Sequence, residues 1–439
     1  MRNAENIDFS PCMPYQNKNE FREAWSRILG NPALIAQVKN LFPGLDLRTL
    51  LSEGANVSDE MSSAEEFQRR IISRVMAQLV EQTTQGLSVS GLENLASNSK
   101  YVILSNHRDI LCDPAWVAYL FFLNHRPTPK ICLGDNLLCH PAIVDLVKMN
   151  KGVTVKRGLP PRELLSWSYL LSSVIAGQIR EGTDSVWLAQ REGRAKDGDD
   201  RTHSGVLKML AMSGDGSLLE NLDQLHILPL AISYEFDPCD AMKAYELFLR
   251  ARDGVYKKKP REDAQSMMCG IVGYKGRVHL SFGVDLSPVP EAQKARLTAG
   301  SDGQNKKGIL EYFCSQVDRQ IHSNYRLWPS NFIALDLIQE SSIYAPEYSS
   351  DQKAFFMERL EAQLEKLRDE LPSDQELSAE DWSDVRMRVL DAYATPVRNF
   401  LSSTREPRVS QLDQSEANLT CKESMMDQVR LDLGSGTSA

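Results

Sequence analysis

The sequence predicts an α/β protein: a mainly parallel sheet covered by helices on both faces, flanked by N- and C-terminal helical regions. Three observations predict it. The apolar period is helical up to about residue 85 and then changes to short runs. Helix-like stretches separate most of those runs, and strands alternating with helices make a parallel sheet with both faces covered. From about residue 331 the helical period returns. The expected divisions are therefore a helical region at 1–85, a sheet-containing domain at 86–330, a helical region at 331–402 and a tail at 403–439.

In the first region, EFREAWSRIL and AEEFQRRIISRVMAQLVEQ space apolar residues by three and four. In the second stretch Phe67, Ile71, Val75 and Leu79 form the expected stripe, with Ser63 as N-cap and Glu66 completing a capping box. Seven strands are expected next: LSVSG, YVILSN, KICLGD, GVTVKRG, DSVWLAQ, LHILPLAISY and RVHLSFG. Between them DPAWVAYLFFL, PAIVDLVKMN, RELLSWSYLLSSVIAGQI and HSGVLKMLAM read as helices. In the last region DQKAFFMERLEAQLEKLRDEL carries Phe356, Leu360, Leu364, Leu367 and Leu371 on one side. AEDWSDVRMRVLDAYATPVRNFL follows as its antiparallel neighbour. Beyond Ser403 the chain is polar, loses periodicity and reads as disordered.

Composition narrows the function. The 439 residues are 42% hydrophobic, ample for a full core, and the formal net charge is -9. Such a chain does not coat nucleic acid, so an anion site must be a local cluster of Arg and Lys. The eight cysteines contain no C-x-x-C pair and read as reduced thiols in the cytoplasm. Cys112, Cys132 and Cys139 lack zinc spacing, so no metal is expected. No apolar signal segment opens the chain, and LLSWSYLLSSVIAGQI is too short and too polar to span a bilayer.

Three loops follow strand candidates, where α/β sheets place their chemistry. The first is SNHRDILCDP, with His107, Asp109 and Asp113. An imidazole held by a carboxylate on one nitrogen can take a proton on the other. The bland reading is a packed turn with Asp113 capping the next helix ahead of Pro114. Both hold together if the capping aspartate also holds the histidine. The second loop carries Lys156 and Arg157; the third carries Arg191, Glu192, Gly193, Arg194 and Lys196. Gly193 lets backbone approach a ligand, and arginines offer forked donors to phosphate. Solvated charged loops are the alternative for each alone. Together they suggest a phosphate-bearing substrate beside a base.

These residues resemble the glycerolipid acyltransferases, the family of glycerol-3-phosphate and 1-acylglycerol-3-phosphate acyltransferases. SNHRDILCDP is similar to the family's first motif, Asn-His, four residues, then Asp. GVTVKRG resembles the second, a strand ending in Arg; AQREGRA the third, where Glu-Gly follows a strand; HILPLAISY the fourth, an apolar strand with a proline. SGLENL resembles the lead-in to the first strand. The agreement runs over roughly residues 88 to 285. Two departures stand out. Five residues separate His107 from Asp113, and Cys112 occupies the family's aspartate position. Either a one-residue bulge returns Asp113 to the histidine, or Asp109 takes the role. The third motif reads Arg-Glu-Gly-Arg where the family has Pro-Glu-Gly-Thr.

The resemblance implies a glycerol-3-phosphate acyltransferase-like fold and transfer of an acyl group from acyl-CoA or acyl carrier protein, in phospholipid synthesis, with no cofactor. The acceptor is a hydroxyl of glycerol 3-phosphate or 1-acylglycerol 3-phosphate. His107 is then the base and Asp113 its partner, with Asp109 the alternative. Arg157, Arg191 and Arg194 hold phosphate, with Glu192 and Gly193 shaping that loop. A lipid acceptor calls for peripheral contact with the inner face of the cytoplasmic membrane. WVAYLFFL or LLSWSYLL would supply it, unless both simply pack on the sheet. Rival readings are another lyso-lipid acceptor such as an amino-acid lipid, and a non-catalytic homologue that binds lipid or acyl carrier. A metal-dependent phosphoesterase is also suggested by Asn-His and by GDN at 134–136. Its Gly-Asp motif should precede Asn-His, however, and here it follows.

Overall fold

A computed structural model describes residues 8–41, 62–138, 140–258, 262–299, 305–371 and 377–404. Residues of the expected tail from 405 onward lie outside the described residues. All seven expected strands are present: β1 Gly86–Ser90, β2 Val102–Ser105, β3 Lys130–Gly134, β4 Gly152–Val155, β5 Val186–Ala189, β6 Ile227–Tyr234 and β7 Arg277–Phe282. They form one sheet in the order β1-β7-β6-β2-β5-β3-β4. Every neighbouring pair is parallel except β6 and β7. The C-terminal ends of β2 to β6 therefore gather along one edge of the sheet, and the three loops leave from that edge.

The helices ahead of β1 are α1 Lys18–Leu29, α2 Pro32–Leu41 and α3 Ser73–Thr83, with a lead-in to α3 formed by Ala64–Phe67 and a wide turn at Gln68–Ile72. Between strands lie α4 Cys112–Leu123, α5 Pro141–Met149, α6 Pro161–Glu181, α7 Ser204–Leu210, α8 Leu218–Asp223, α9 Asp240–Asp253 and α10 Glu262–Val272. After β7 come α11 Glu291–Thr298, α12 Lys306–Asn324, α13 Pro329–Ile338, α14 Ser350–Glu370 and α15 Ala379–Thr404. Alternation along each strand builds the two covered faces. Val102, Leu104, Val186 and Leu188 pack with Leu171 and Ile175 of α6 and Phe313 and Val317 of α12. Ile103, Trp187 and Leu228 point the other way, to Met76 and Leu79 of α3 and Trp116 and Leu120 of α4.

Three local expectations change. The wide turn at Gln68–Ile72 inserts extra rotation, so the α3 stripe passes from Phe67 to Met76, Leu79 and Val80 and leaves Ile71 and Val75 half-buried. Ser63 Oγ accepts the Glu66 amide, but the Glu66 carboxylate turns to Arg70 at 2.9 Å. Helix α15 lies chiefly on α9, α12 and α13 and meets α14 through Phe356–Tyr393 and Glu361–Arg386. Helix α9, from the middle of the chain, thus shares its core with α13, α14 and α15.

Candidate active site

The first loop spends every polar side chain on a named partner. Asn106 is fully buried; its Oδ1 accepts the Ile232 amide at 2.7 Å and its Nδ2 donates to the Ile232 carbonyl at 3.0 Å. That pair ties the end of β2 to β6. Arg108 is buried against Asp200 and stacks on Tyr325 with 5.4 Å to the ring centre. Buried polar groups cost free energy unless they are paired; both Asn106 groups are, and Arg108 is paired through Nη2, while its Nε has no described partner.

The two aspartates take roles opposite to the capping expectation. Helix α4 begins at Cys112, so Asp113 sits within its first turn. Asp109 does the capping: its Oδ1 accepts the amides of Leu111 at 3.0 Å and Cys112 at 2.7 Å. The extra residue between His107 and Asp113 is absorbed in this turn. It brings Asp113 Oδ2 to 2.9 Å from His107 Nδ1. The same oxygen accepts the amides of Arg108 at 2.6 Å and Asp109 at 3.0 Å. A carboxylate only accepts, so Nδ1 carries the proton and Nε2 keeps its lone pair. The imidazole is 15% exposed, and Trp187 meets it edge-on at 5.9 Å.

Two residues that sequence reasoning missed complete the arrangement. Tyr234, the last residue of β6, donates its hydroxyl to Asp113 Oδ1 at 2.8 Å. Trp116 Nε1 donates in turn to the Tyr234 oxygen at 3.0 Å. Burial, with Asp113 adding to it, pushes the Tyr234 hydroxyl well up and keeps it a donor. Burial also raises the Asp109 carboxyl, and the neighbouring Asp113 adds to the rise. The Cys112 thiol, at the family's aspartate position, is buried and raised well above its ordinary range. It makes a contact of 3.4 Å to the Gly270 carbonyl and is too poorly ionised to be a nucleophile.

The three loops do converge. The Ala195 amide donates to the His107 carbonyl at 3.1 Å, joining the third loop to the first. Arg157 reaches Glu192 at 3.7 Å, joining the second to the third. Asp135 of the GDN sequence accepts the Arg157 amide at 3.2 Å. Gly193 adopts φ 73°, a conformation glycine takes without strain. The arginines divide, however. Arg157, Arg191 and Arg194 are all partly exposed as residues, but they differ in where the guanidinium lies. The Arg194 guanidinium is buried under α10: Nη2 donates to Ser266 Oγ at 2.9 Å, and Nη1 has no described partner. The difference arises because α10, distant in sequence, covers that end of the third loop.

Clefts of about 640 Å³ beside Tyr274 and Phe355 and about 410 Å³ between α9, α10 and α14 lie elsewhere. Neither is lined by His107 or by the three arginines. The chemistry is placed by loop geometry and not by cleft size.

Residues 86–233 match the family model described as Acyltransferase. No curated protein matches the sequence. Among solved structures, the chain is similar to PlsC, the 1-acyl-sn-glycerophosphate (LPA) acyltransferase from Thermotoga maritima. The identity is 14% and the TM-score 0.35, over 69% of this chain and 95% of that one.

Proposed function

Residues 86–233 of this chain belong to the acyltransferase family, and from that premise we propose that it moves a fatty acyl group from acyl-CoA or acyl carrier protein to a hydroxyl of glycerol 3-phosphate or 1-acylglycerol 3-phosphate. The observation that carries this reading is the 2.9 Å contact of His107 Nδ1 with a buried Asp113 carboxylate. It leaves Nε2 unprotonated on a partly exposed ring, in the loop that the third loop joins through the His107 carbonyl.

His107 Nε2 takes the proton from the acceptor hydroxyl as its oxygen attacks the thioester carbonyl. The tetrahedral intermediate collapses, the carbon–sulfur bond breaks, and the thiolate leaves with the proton returned from Nε2. Asp113 fixes the tautomer and stabilises the imidazolium. Tyr234 and Trp116 act through Asp113 and are positioning residues. Arg157 and Arg191 hold the acceptor phosphate, and Arg194 anchors the third loop from beneath through Ser266, with Glu192 and Gly193 shaping it. Replacing Arg157 or Arg191 by Ala should weaken the acceptor by roughly 1.5–3 kcal/mol and leave donor affinity unchanged. Equal weakening of both would count against the assignment.

The test is thiol release by the purified protein. Acyl-CoA and acyl carrier protein are offered as donors against glycerol 3-phosphate, lysophosphatidate and lyso-amino-lipid acceptors. Release that depends on one of the first two acceptors supports the reading. Release only with the amino-lipid moves the acceptor, and none with any pair removes the activity.

A further inference from the structure

Two cysteines distant in sequence meet beneath the third loop. Cys239, just ahead of α9, is buried. Cys269 of α10 is half-buried and lines the cleft of about 410 Å³ between α9, α10 and α14. Each is held beside the other's backbone. Cys269 Sγ meets the Pro238 carbonyl at 2.9 Å. Cys239 Sγ lies 3.5 Å from the Ser266 carbonyl and accepts from Ser266 Oγ at 3.7 Å. The two thiols also hydrogen-bond each other. That bond lowers the Cys269 thiol, with Lys366 of the cleft adding to the effect against burial. The same bond, together with burial, pushes Cys239 well up. Burial raises the other described cysteines, Cys12, Cys112, Cys132 and Cys314. The pair also touches the candidate site. Ser266 holds Arg194, whose guanidinium lies against the Cys239 sulfur. Gly270, next to Cys269, receives the Cys112 thiol on its carbonyl and has no room for a β-carbon, because Asp109 Oδ2 fills that place.

We propose that Cys269 and Cys239 are a redox-modification site whose reversible disulfide withdraws Cys239 from Ser266 and Arg194 and so loosens the third loop. A reachable attacking thiol backed by a buried resolving thiol is the arrangement that thiol–disulfide exchange requires. Sulfurs already in contact need little side-chain rotation to reach bonding distance. The co-reactant is a small-molecule disulfide entering the cleft. Cys269 loses its proton to solvent and its thiolate attacks one sulfur of the reagent. The reagent's sulfur–sulfur bond breaks, and one thiolate leaves and takes up a proton. The Cys239 sulfur then attacks Cys269, and its proton goes to the second departing thiolate. Two protein thiols are oxidised to one disulfide, and the reagent is reduced to two thiols.

The test treats the folded full chain with oxidised glutathione, removes the excess and maps unreduced peptides by mass spectrometry. Wild type should yield a Cys239–Cys269 cross-link that a dithiol reverses. Cys239→Ser should instead keep one glutathione on Cys269. Oxidised wild type should need about fivefold more acceptor for half-maximal thiol release than reduced wild type. Cys269→Ser should keep the reduced value with and without oxidant. Absence of the cross-link in wild type, or of the adduct in Cys239→Ser, overturns the proposal. So does a cross-link that leaves the acceptor requirement unchanged. The effect on acceptor rests on the acyltransfer reading, whereas the cross-link does not. A cross-linked protein with no thiol release in either state keeps the thiol site and sinks that reading instead.

Discussion

Two histidines border the same sheet and live in opposite surroundings. His107 follows β2, keeps part of its ring in solvent and pairs with Asp113 at 2.9 Å. His279 is in β7, buried between Ser88 Oγ at 2.8 Å and Ser90 Oγ at 2.9 Å. Burial, with Arg326 adding to it, pushes His279 down to about 4. A proton acceptor in catalysis needs a partner that favours its protonated form, and a route for the proton. His107 has both; His279 has neutral hydroxyls and a nearby cation. The difference teaches that a histidine's chemistry is set by what its other nitrogen touches, and here those partners come from a helix start in one case and a neighbouring strand in the other.

The comparison breaks most sharply at Asp113. Asp113→Asn should lower turnover about a thousandfold or more in a folded protein, because an amide can hold the wrong tautomer. Steady-state thiol release measures it. A loss confined to thermal stability would make Asp113 a packing residue. Tyr234→Phe removes one hydrogen bond to the carboxylate and should cost about tenfold in kcat, with a displaced pH–rate profile. An unmoved profile would mean that Tyr234 only fills space.

Asp109→Asn should stay within about threefold of wild-type turnover, since asparagine caps a helix as well as aspartate does. If it is the more damaging aspartate change, the two roles are reversed.

His279 marks the other pole. Its folded value, about 4, lies below the unfolded value near 6.5. Between those pH values the unfolded chain binds more protons, so stability present above about pH 6.5 is lost as pH falls toward 4. His279→Gln should therefore flatten that loss by about 2–3 kcal/mol, in urea melts across this range, and leave turnover at neutral pH unchanged. An equal acid loss in both proteins would show that His279 is not the group responsible.

The strands were legible because they are short apolar or alternating runs, several of them ending at a turn signal, and a parallel sheet buries such runs on both faces. His107, Asp109 and Asp113 were legible as a cluster because polar residues between two apolar segments need partners. Their division of labour was not. It depends on whether α4 starts at Cys112 or after Asp113, a shift of one or two residues that Pro114 does not settle, as proline is tolerated anywhere in the first turn. Tyr234 ends the apolar strand ILPLAISY and reads as core. The one signal that could have found it is its place at the end of β6, where a hydroxyl faces the loops. The burial of Arg194 was invisible because α10, which supplies Ser266, lies far along the chain. The wide turn at Gln68–Ile72 moved the α3 stripe for a similar reason: nothing in QRRII departs from ordinary helix composition.

The central claim is that His107 is the base and that Asp113 makes it one. Thiol release by His107→Ala, measured beside wild type with the donor and acceptor pair that wild type prefers, tests it most directly. The account predicts a fall of about a thousandfold or more with an unchanged melting temperature. Turnover at the wild-type rate would contradict it.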